Sequence, residues 1–307
     1  GAITRAPPAM RPVVRRATID APRPDPARPL ALLDLVAAGL AGATGGRVPL
    51  RAPVHVLHEL PALAAAHPRL AAILCGRDLL HVEAAGTPDA PLLGVAVDLG
   101  STKLADVISR IHFATERPGG LGVLHEEIAG AVAALIEELL AGAAARADRI
   151  FAIACAGNAT MTHTAVGAPI GSLGEAPYTG VFTQEWQLPA RALRWPAHPE
   201  AQVRFLPMVG RHVGGDTVAA AIACDLDRGE RWRLLVDLGT NAEVVLARRG
   251  RILATSTAAG PAFEGATIAC GMRAAPGAID MVRVMGDGRV ACATIAGAPP
   301  AGLCGSG

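Results

Sequence analysis

The apolar positions of this 307-residue chain alternate between short unbroken runs and stripes spaced three to four residues apart, the pattern of buried strands and amphipathic helices in an α/β protein. An Ala/Leu-rich helix is predicted over 30–41, a strand over 54–57, a helix over 59–66, and apolar strands over 71–74 and 79–83. A short strand over 94–97 leads into Asp98-Leu99-Gly100-Ser101-Thr102-Lys103, and a helical segment is under way from Asp106. Over 123–145, Ile128, Val132, Leu135, Ile136, Leu139 and Leu140 define one face of a long helix. A strand over 150–155 runs into Gly157-Asn158-Ala159-Thr160, where Thr160 suits the cap of a helix beginning at Met161. Residues 205–217 read as strand, loop and helix start. Strands over 234–237, 243–247 and 252–256 follow, the last two joined by a hairpin turn at Arg248–Arg251. Residues 1–29, punctuated by seven prolines from Pro7 to Pro29, are predicted as an extended linker.

One phrase in this pattern occurs twice. Val97-Asp98-Leu99-Gly100-Ser101-Thr102 and Val236-Asp237-Leu238-Gly239-Thr240-Asn241 each end an apolar strand with an acid, a glycine and small hydroxyl or amide side chains. The glycine lets backbone amides approach a phosphate, the hydroxyls donate to its oxygens, and the carboxylate can hold a hydrated Mg²⁺. An Asp beside Gly is also a common turn residue satisfied by local amides, but the recurrence after an apolar strand favours paired phosphate corners. Asp98 is therefore assigned to the metal, Gly100, Ser101, Thr102, Gly239, Thr240 and Asn241 to the phosphates, and Asp237 to the chemistry. Lys103, the single lysine, either adds a charge there or is a solvated turn residue. The copies differ in one respect: the first has only Leu104 and Ala105 where the second has a hairpin, so a hairpin reads as missing after 104.

Other polar residues carry weaker signals. Asp216 opens a helix, where an acid is favourable on dipole grounds alone; the functional alternative is a further acid beside the metal or the attacking water. Glu264, between Gly260-Pro261 and Gly265-Ala266, is a candidate ribose or adenine contact or a first-turn helix acid. Glu243, on a strand after the second corner, faces either the site or solvent. His163 reads as a satisfied structural histidine and His212 as a loop residue. No nucleophile elbow supports a hydrolase triad.

Composition narrows the class. A hydrophobic content of 51% suits a sizeable core, whereas 28 basic against 27 acidic residues and 3% aromatics remove the case for nucleic acid or an anionic membrane as partner. Six scattered cysteines without a C-x-x-C pair read as buried free thiols in a reducing compartment. With no leader and no bilayer-length apolar run, the expected location is cytoplasmic.

The paired corners resemble the superfamily of acetate and sugar kinases, chaperone ATPases and actin. The nearer resemblance is to ATP-dependent reductive activators of corrinoid proteins. It rests on Gly157-Asn158-Ala159-Thr160-Met161-Thr162-His163, Gly214-Gly215-Asp216-Thr217, Val236 through Glu243, Gly260 through Ala266, Gly271 through Ile279, and the closing Gly302-Leu303-Cys304-Gly305-Ser306-Gly307. The resemblance implies a small α/β middle domain over 30–91 followed by an actin-like, RNase-H-like duplicated domain. Its first half would be 92–205 and its second 206–307, incomplete because the chain stops at the adenosine loop, to which Gly302 and Gly305 would belong. It also implies ATP and Mg²⁺ as cofactors and a corrinoid protein, taken from Co(II) to Co(I) in a methyltransferase system, as partner. A [2Fe–2S] cluster and its electron donor would belong to an upstream ferredoxin-like domain not contained here, and a homodimer is left open. This chain would be the nucleotide-binding part of that activator. The alternatives are a small-molecule kinase of the same superfamily, for which Asp216 is the candidate base, and a regulatory module that binds ATP without turnover.

Overall fold

The structure, a computed structural model, describes residues 13–23, 30–46, 48–86, 91–100, 107–210, 212–228, 230–239, 241–259, 270–272 and 275–303. The missing-hairpin reading after 104 falls on residues outside these. The chain divides into two compact units, one comprising Gly1–Val97, Ala129–Ala154 and Gln187–Arg204, the other Asp98–Ile128, Cys155–Trp186 and Phe205–Gly307.

The first unit begins with a correction. Val14–Asp20, inside the segment predicted as linker, is strand β1 and pairs antiparallel with β2 (Arg69–Cys75). The prolines that suggested a linker stand on either side, at Pro12 and Pro22, and leave the stretch between them free to donate a full ladder. β2 also pairs antiparallel with β3 (Asp78–Ala84), giving the order β1-β2-β3. As the central strand, β2 is buried on both faces, and its period of two divides its side chains between two cores. Leu70, Ala72 and Leu74 join Ile19, Val36, Leu40, Val56, Leu60 and Leu79 in one, to which α1 (Leu32–Gly39) contributes Val36 and Ala37, while the short α2 (Ala41–Thr44) that follows buries none of its residues; Ile73 and Cys75 meet Val14, Leu80 and Phe151 in the other. A second correction concerns 54–57, predicted as strand but lying in helix α3 (Val54–Ala66). Val54 and Val56 mimic a strand alternation, yet Val56 and Leu60 are the buried pair while Val54 is 66% exposed, a spacing of four that only a helix provides.

Further strands and helices are β4 (Leu93–Leu99), α4 (Val107–Glu116), α5 (Gly120–Ala143), β5 (Ile150–Gly157), α6 (Ala159–Ala165), β6 (Trp186–Pro189) and β7 (Gln202–Phe205). β4, β5, β7 and β6 form a four-stranded sheet in that order. Within the first unit, Glu83 of β3 accepts from Arg16 at 2.9 Å and from Arg149, itself buried, at 2.9 Å. Burial raises the Glu83 carboxyl, but the Arg149 hydrogen bonds and the Arg149 and Arg16 charges outweigh it and hold the group below its ordinary value. Beside this network the buried His198 stacks on Phe151 at 4.5 Å and lies edge-on to His81 at 5.0 Å. Burial, followed by the nearby His81 and His55, pushes His198 down to about 4. The unfolded chain then binds a proton that the folded chain refuses, so stability is complete above the ordinary histidine value and is lost as pH falls from there toward about 4. We expect His198 to account for about 1.3 kcal/mol of lost stability between about pH 7.5 and pH 5.5. Urea unfolding at the two pH values checks this, and His198→Gln should flatten the difference by that amount.

The second unit continues with α7 (Gly215–Ala223) and three antiparallel strands, β8 (Arg233–Leu238), β9 (Asn241–Arg248) and β10 (Arg251–Ala258), in the order β10-β9-β8. Val245 and Ala247 of β9 pack against Leu226, with Leu235 and Ala254 from the flanking strands closing over them. β11 (Ala278–Val284), β12 (Val290–Thr294) and β13 (Gly302–Leu303) form the last sheet, in the order β12-β11-β13. Ile111, Ala159, Ile170, Leu173, Phe182 and Met208 make a separate core under α4 and α6. The expectation of buried thiols holds for Cys75 and Cys155, whose thiol burial pushes up to about 12. It fails for Cys224, Cys270 and Cys292, which are free but exposed: Cys224 caps the C-terminal end of α7, Cys270 lies in a turn and Cys292 is on β12. Among the described residues no helix is long and apolar enough to cross a membrane.

Candidate nucleotide site

Asp98 and Asp237 occupy the same local position, the penultimate residue of β4 and of β8, with a glycine two residues on. Around the first corner the backbone is packed to the limit. A Cβ on Gly157, at the end of β5, would stand 2.7 Å from the Leu99 Cβ and 3.1 Å from its carbonyl oxygen. A Cβ on Gly214 would stand 2.5 Å from the Asn158 Cα, 2.6 Å from the Gly157 oxygen and 2.8 Å from Asp216 Oδ1. Glycine at these two places is what allows the end of β5, the corner at Leu99 and the start of α7 to lie against one another. By contrast, a Cβ on Gly100 would meet nothing within 4 Å among the described residues.

Asn158, not Thr160, caps α6. Its Oδ1 accepts from the Met161 N–H at 2.9 Å, while Thr160 lies inside the helix. The sequence pointed to Thr160, but Asn158, in extended backbone, stands at the cap position and is the stronger cap. Removing that acceptor with Asn158→Ala should cost about 1 kcal/mol, read as a lower urea midpoint. The structural reading of His163 is met: it is fully buried, its Nδ1 bonds the Ala159 carbonyl at 2.7 Å, and its Nε2 accepts from the Val181 N–H at 3.0 Å.

The electrostatics draw the acids together. Burial raises the Asp216 carboxyl, and the charges of Asp237 and then Asp98 raise it further, against a hydrogen bond from the Thr217 N–H at 2.7 Å. Glu243 is likewise raised by burial and by the charges of Asp216 and Asp237. Glu243 is the directly paired neighbour of both Asp237 on β8 and Ser256 on β10. The Ser256 hydroxyl donates to Glu243 Oε1 at 3.0 Å. The sequence left Glu243 between site and solvent; the register settles its neighbours, because the β8–β9 pairing sets Asp237 opposite Glu243.

The charges of Asp98 and Asp237 thus both reach Asp216, and Gly100, Gly239 and Asn241 stand next to the two corners. Gly239 donates its N–H to the Asn241 carbonyl at 2.9 Å. Gly302 is placed by its pairing with Ala278 in the β11–β13 ladder. Ser101, Thr102, Lys103, Thr240, Glu264 and Gly305 lie outside the described residues. Mg²⁺ prefers hard oxygen donors and keeps most of its waters, binding through one or two carboxylates and substrate phosphates. The carboxylates here fit that ion. Among the described residues no group of three or more His, Cys, Asp or Glu side chains could hold a metal by itself.

Comparison with known proteins is specific. Residues 104–229 match the family model described as the RACo middle region, and residues 231–307 match the C-terminal domain of RACo, the ASKHA domain. The chain belongs to the RACo family. It is 31% identical over 265 residues to the corrinoid activation enzyme RamQ of Eubacterium limosum, covering 78% of this chain and 44% of RamQ. It is 41% identical over 80 residues to a [Co(II) methylated amine-specific corrinoid protein] reductase of Methanosarcina barkeri, covering 26% of this chain and 15% of that protein. The solved structure of a reductive activator for corrinoid, iron-sulfur protein superposes with a TM-score of 0.76 at 26% identity, covering 99% of this chain and 53% of that one. The chain spans about half the length of RamQ and of that activator. The α/β class and the ASKHA assignment made from the sequence are shown by these matches.

Proposed function

We propose that this RACo-family chain is the nucleotide-binding part of an activator that uses ATP to return the Co(II) form of a corrinoid protein to Co(I). The observation that carries the reading is that Asp216 lies in the field of both corner acids, Asp98 and Asp237. Three like charges held near one another are unfavourable unless a cation or a proton offsets them. Asp98 would hold the metal through its waters, and the turn amides at Gly100 and Gly239 would face the phosphates. Asp216, raised toward neutrality by its surroundings, would orient the attacking water and take up its proton. Bound Mg-ATP supplies a cleavable phosphoanhydride and the metal charge that offsets developing negative charge. Reduction of Co(II) by one electron is uphill for ordinary donors, so nucleotide turnover would act by favouring one conformation of the activator–corrinoid complex over another. The electron itself would come from a low-potential donor, through the upstream [2Fe–2S] domain that the family resemblance implies.

The test supplies titanium(III) citrate as donor and a purified Co(II) corrinoid protein as acceptor, and follows the Co(I) absorbance. Co(I) should accumulate only when the protein, Mg²⁺ and ATP are all present. Equal Co(I) formation without ATP would contradict the reading, and phosphorylation of a sugar or short carboxylate would favour the kinase alternative instead.

A further inference from the structure

The sheet of β8, β9 and β10 carries two acids directly opposite one another on its covered face, an arrangement that destabilises a ladder because the charges repel. Leu235, Val245 and Ala254 stand side by side on the three strands and pack with Leu226 and with Ala221 of α7. Side chains alternate between faces with a period of two, so the next row on that same face is Asp237, Glu243 and Ser256, again direct partners. The two rows lie about 7 Å apart, and the helix from Ala221 back to Asp216 at the start of α7 spans about 7.5 Å. The charges of Asp216 and Asp237 both act on Glu243, which sets the polar row toward the first turn of α7. On the other face of β8 the alternating residues are apolar and exposed, Leu234 at 63% and Leu238 at 79%. The strand thus turns its acid toward α7 and its leucines outward, the reverse of what burial alone would select.

Glu243 is also held in one pose. The Ser256 hydroxyl donates to its Oε1 at 3.0 Å, and a carboxylate with about four acceptor positions can accept further donors beyond that one. Mg²⁺ bound through one or two carboxylates and substrate phosphates keeps several waters, each of which needs an acceptor. Carboxylates one step outside the metal fill that need and fix the ion's orientation. Resting on the function proposed above, we infer that Glu243 is a positioning residue for the Mg²⁺ of the bound nucleotide: beside the second corner its carboxylate accepts from water of the hydrated ion, and Ser256 keeps it aimed there. The cation offsets the repulsion between Asp237 and Glu243, so an arrangement that costs stability in the empty protein contributes affinity in the loaded one.

The experiment titrates the wild type, Glu243→Gln and Ser256→Ala with ATP in a calorimeter, with and without Mg²⁺, and reads urea unfolding of each without nucleotide. Glu243→Gln should cut the gain in ATP affinity that Mg²⁺ confers by about tenfold or more. Its Mg²⁺-free ATP binding should stay the same or tighten, because one negative charge is gone, and its urea midpoint should stay the same or rise, because the opposed acids are relieved. Ser256→Ala keeps the charge and removes the hydroxyl that fixes it, so it should show a smaller loss confined to the same Mg²⁺-dependent gain. If Glu243→Gln does not fold, Ser256→Ala carries the test. A wild type that binds Mg-ATP, with the folded variants keeping the Mg²⁺-dependent gain within about twofold, overturns this role and leaves the proposed function standing. Equal losses with and without Mg²⁺, joined to a lower urea midpoint, make Glu243 a structural residue and overturn it too. No ATP binding by the wild type overturns both.

Discussion

Asp216→Asn is expected to lower ATP turnover by about 100-fold or more while leaving the fold at least as stable as the wild type. Asparagine keeps the oxygen that accepts from the Thr217 N–H but removes the proton-accepting carboxylate from its place beside Asp98 and Asp237. The stability arm follows from the sign of the shift. Because burial and the neighbouring acids raise Asp216 in the folded chain, its ionisation opposes folding once pH rises past the ordinary carboxylate range. A neutral residue relieves that opposition. Loss of activity joined to unchanged or higher stability separates a working group from a structural one. Steady-state phosphate release and urea unfolding on the same preparation read both arms. A variant that hydrolyses ATP normally would remove Asp216 from the chemistry.

Gly214→Ala should do the opposite, losing fold and site together. The added methyl would press on the Asn158 Cα at 2.5 Å and the Gly157 oxygen at 2.6 Å, both main-chain atoms that cannot rotate away. Forced relief of such overpacking costs about 3 kcal/mol, which corresponds to a urea midpoint lower by about 1 M or more. Gly100→Ala is the matched control. Among the described residues its Cβ meets nothing within 4 Å, so the fold should keep its midpoint within about 0.5 kcal/mol, while nucleotide affinity falls if the turn backbone approaches a phosphate. Equal stability of Gly214→Ala and the wild type would show that the close contact between α7 and the end of β5 is not required.

What could be read in advance divides along physical lines. The paired corners were visible because each joins an unbroken apolar strand to a short polar turn, a local signal that needs no tertiary knowledge. The cap of α6 was misplaced: the polar cluster before Met161 announced a helix start, but that the start lies at Ala159, with Asn158 rather than Thr160 as its cap, needs the backbone angles. Val14–Asp20 was hidden because flanking prolines dominate the composition of the region, and its partner β2 lies far along the chain, Val14 pairing with Cys75 and Asp20 with Arg69. At 54–57 the β-branched residues pulled toward strand, and burial of Val56 with Leu60 overrode them. The neighbours of Glu243 depend on strand register, which periodicity alone leaves undetermined. Gly157 and Gly214 gave only a hint of punctuation; their necessity comes from atoms of distant segments. The exposed cysteines lie at a helix end, in a turn and on a strand with an open face, places that composition cannot foresee.

The central claim is that the two aspartate corners and Asp216 form one nucleotide site. Calorimetric titration of the wild type, Asp98→Asn and Asp237→Asn with ATP, each with and without Mg²⁺, tests it most directly. The account predicts a single wild-type site whose affinity depends on Mg²⁺ and falls by about tenfold or more in each variant. No heat of binding in the wild type, or affinities that neither corner substitution changes, would contradict it.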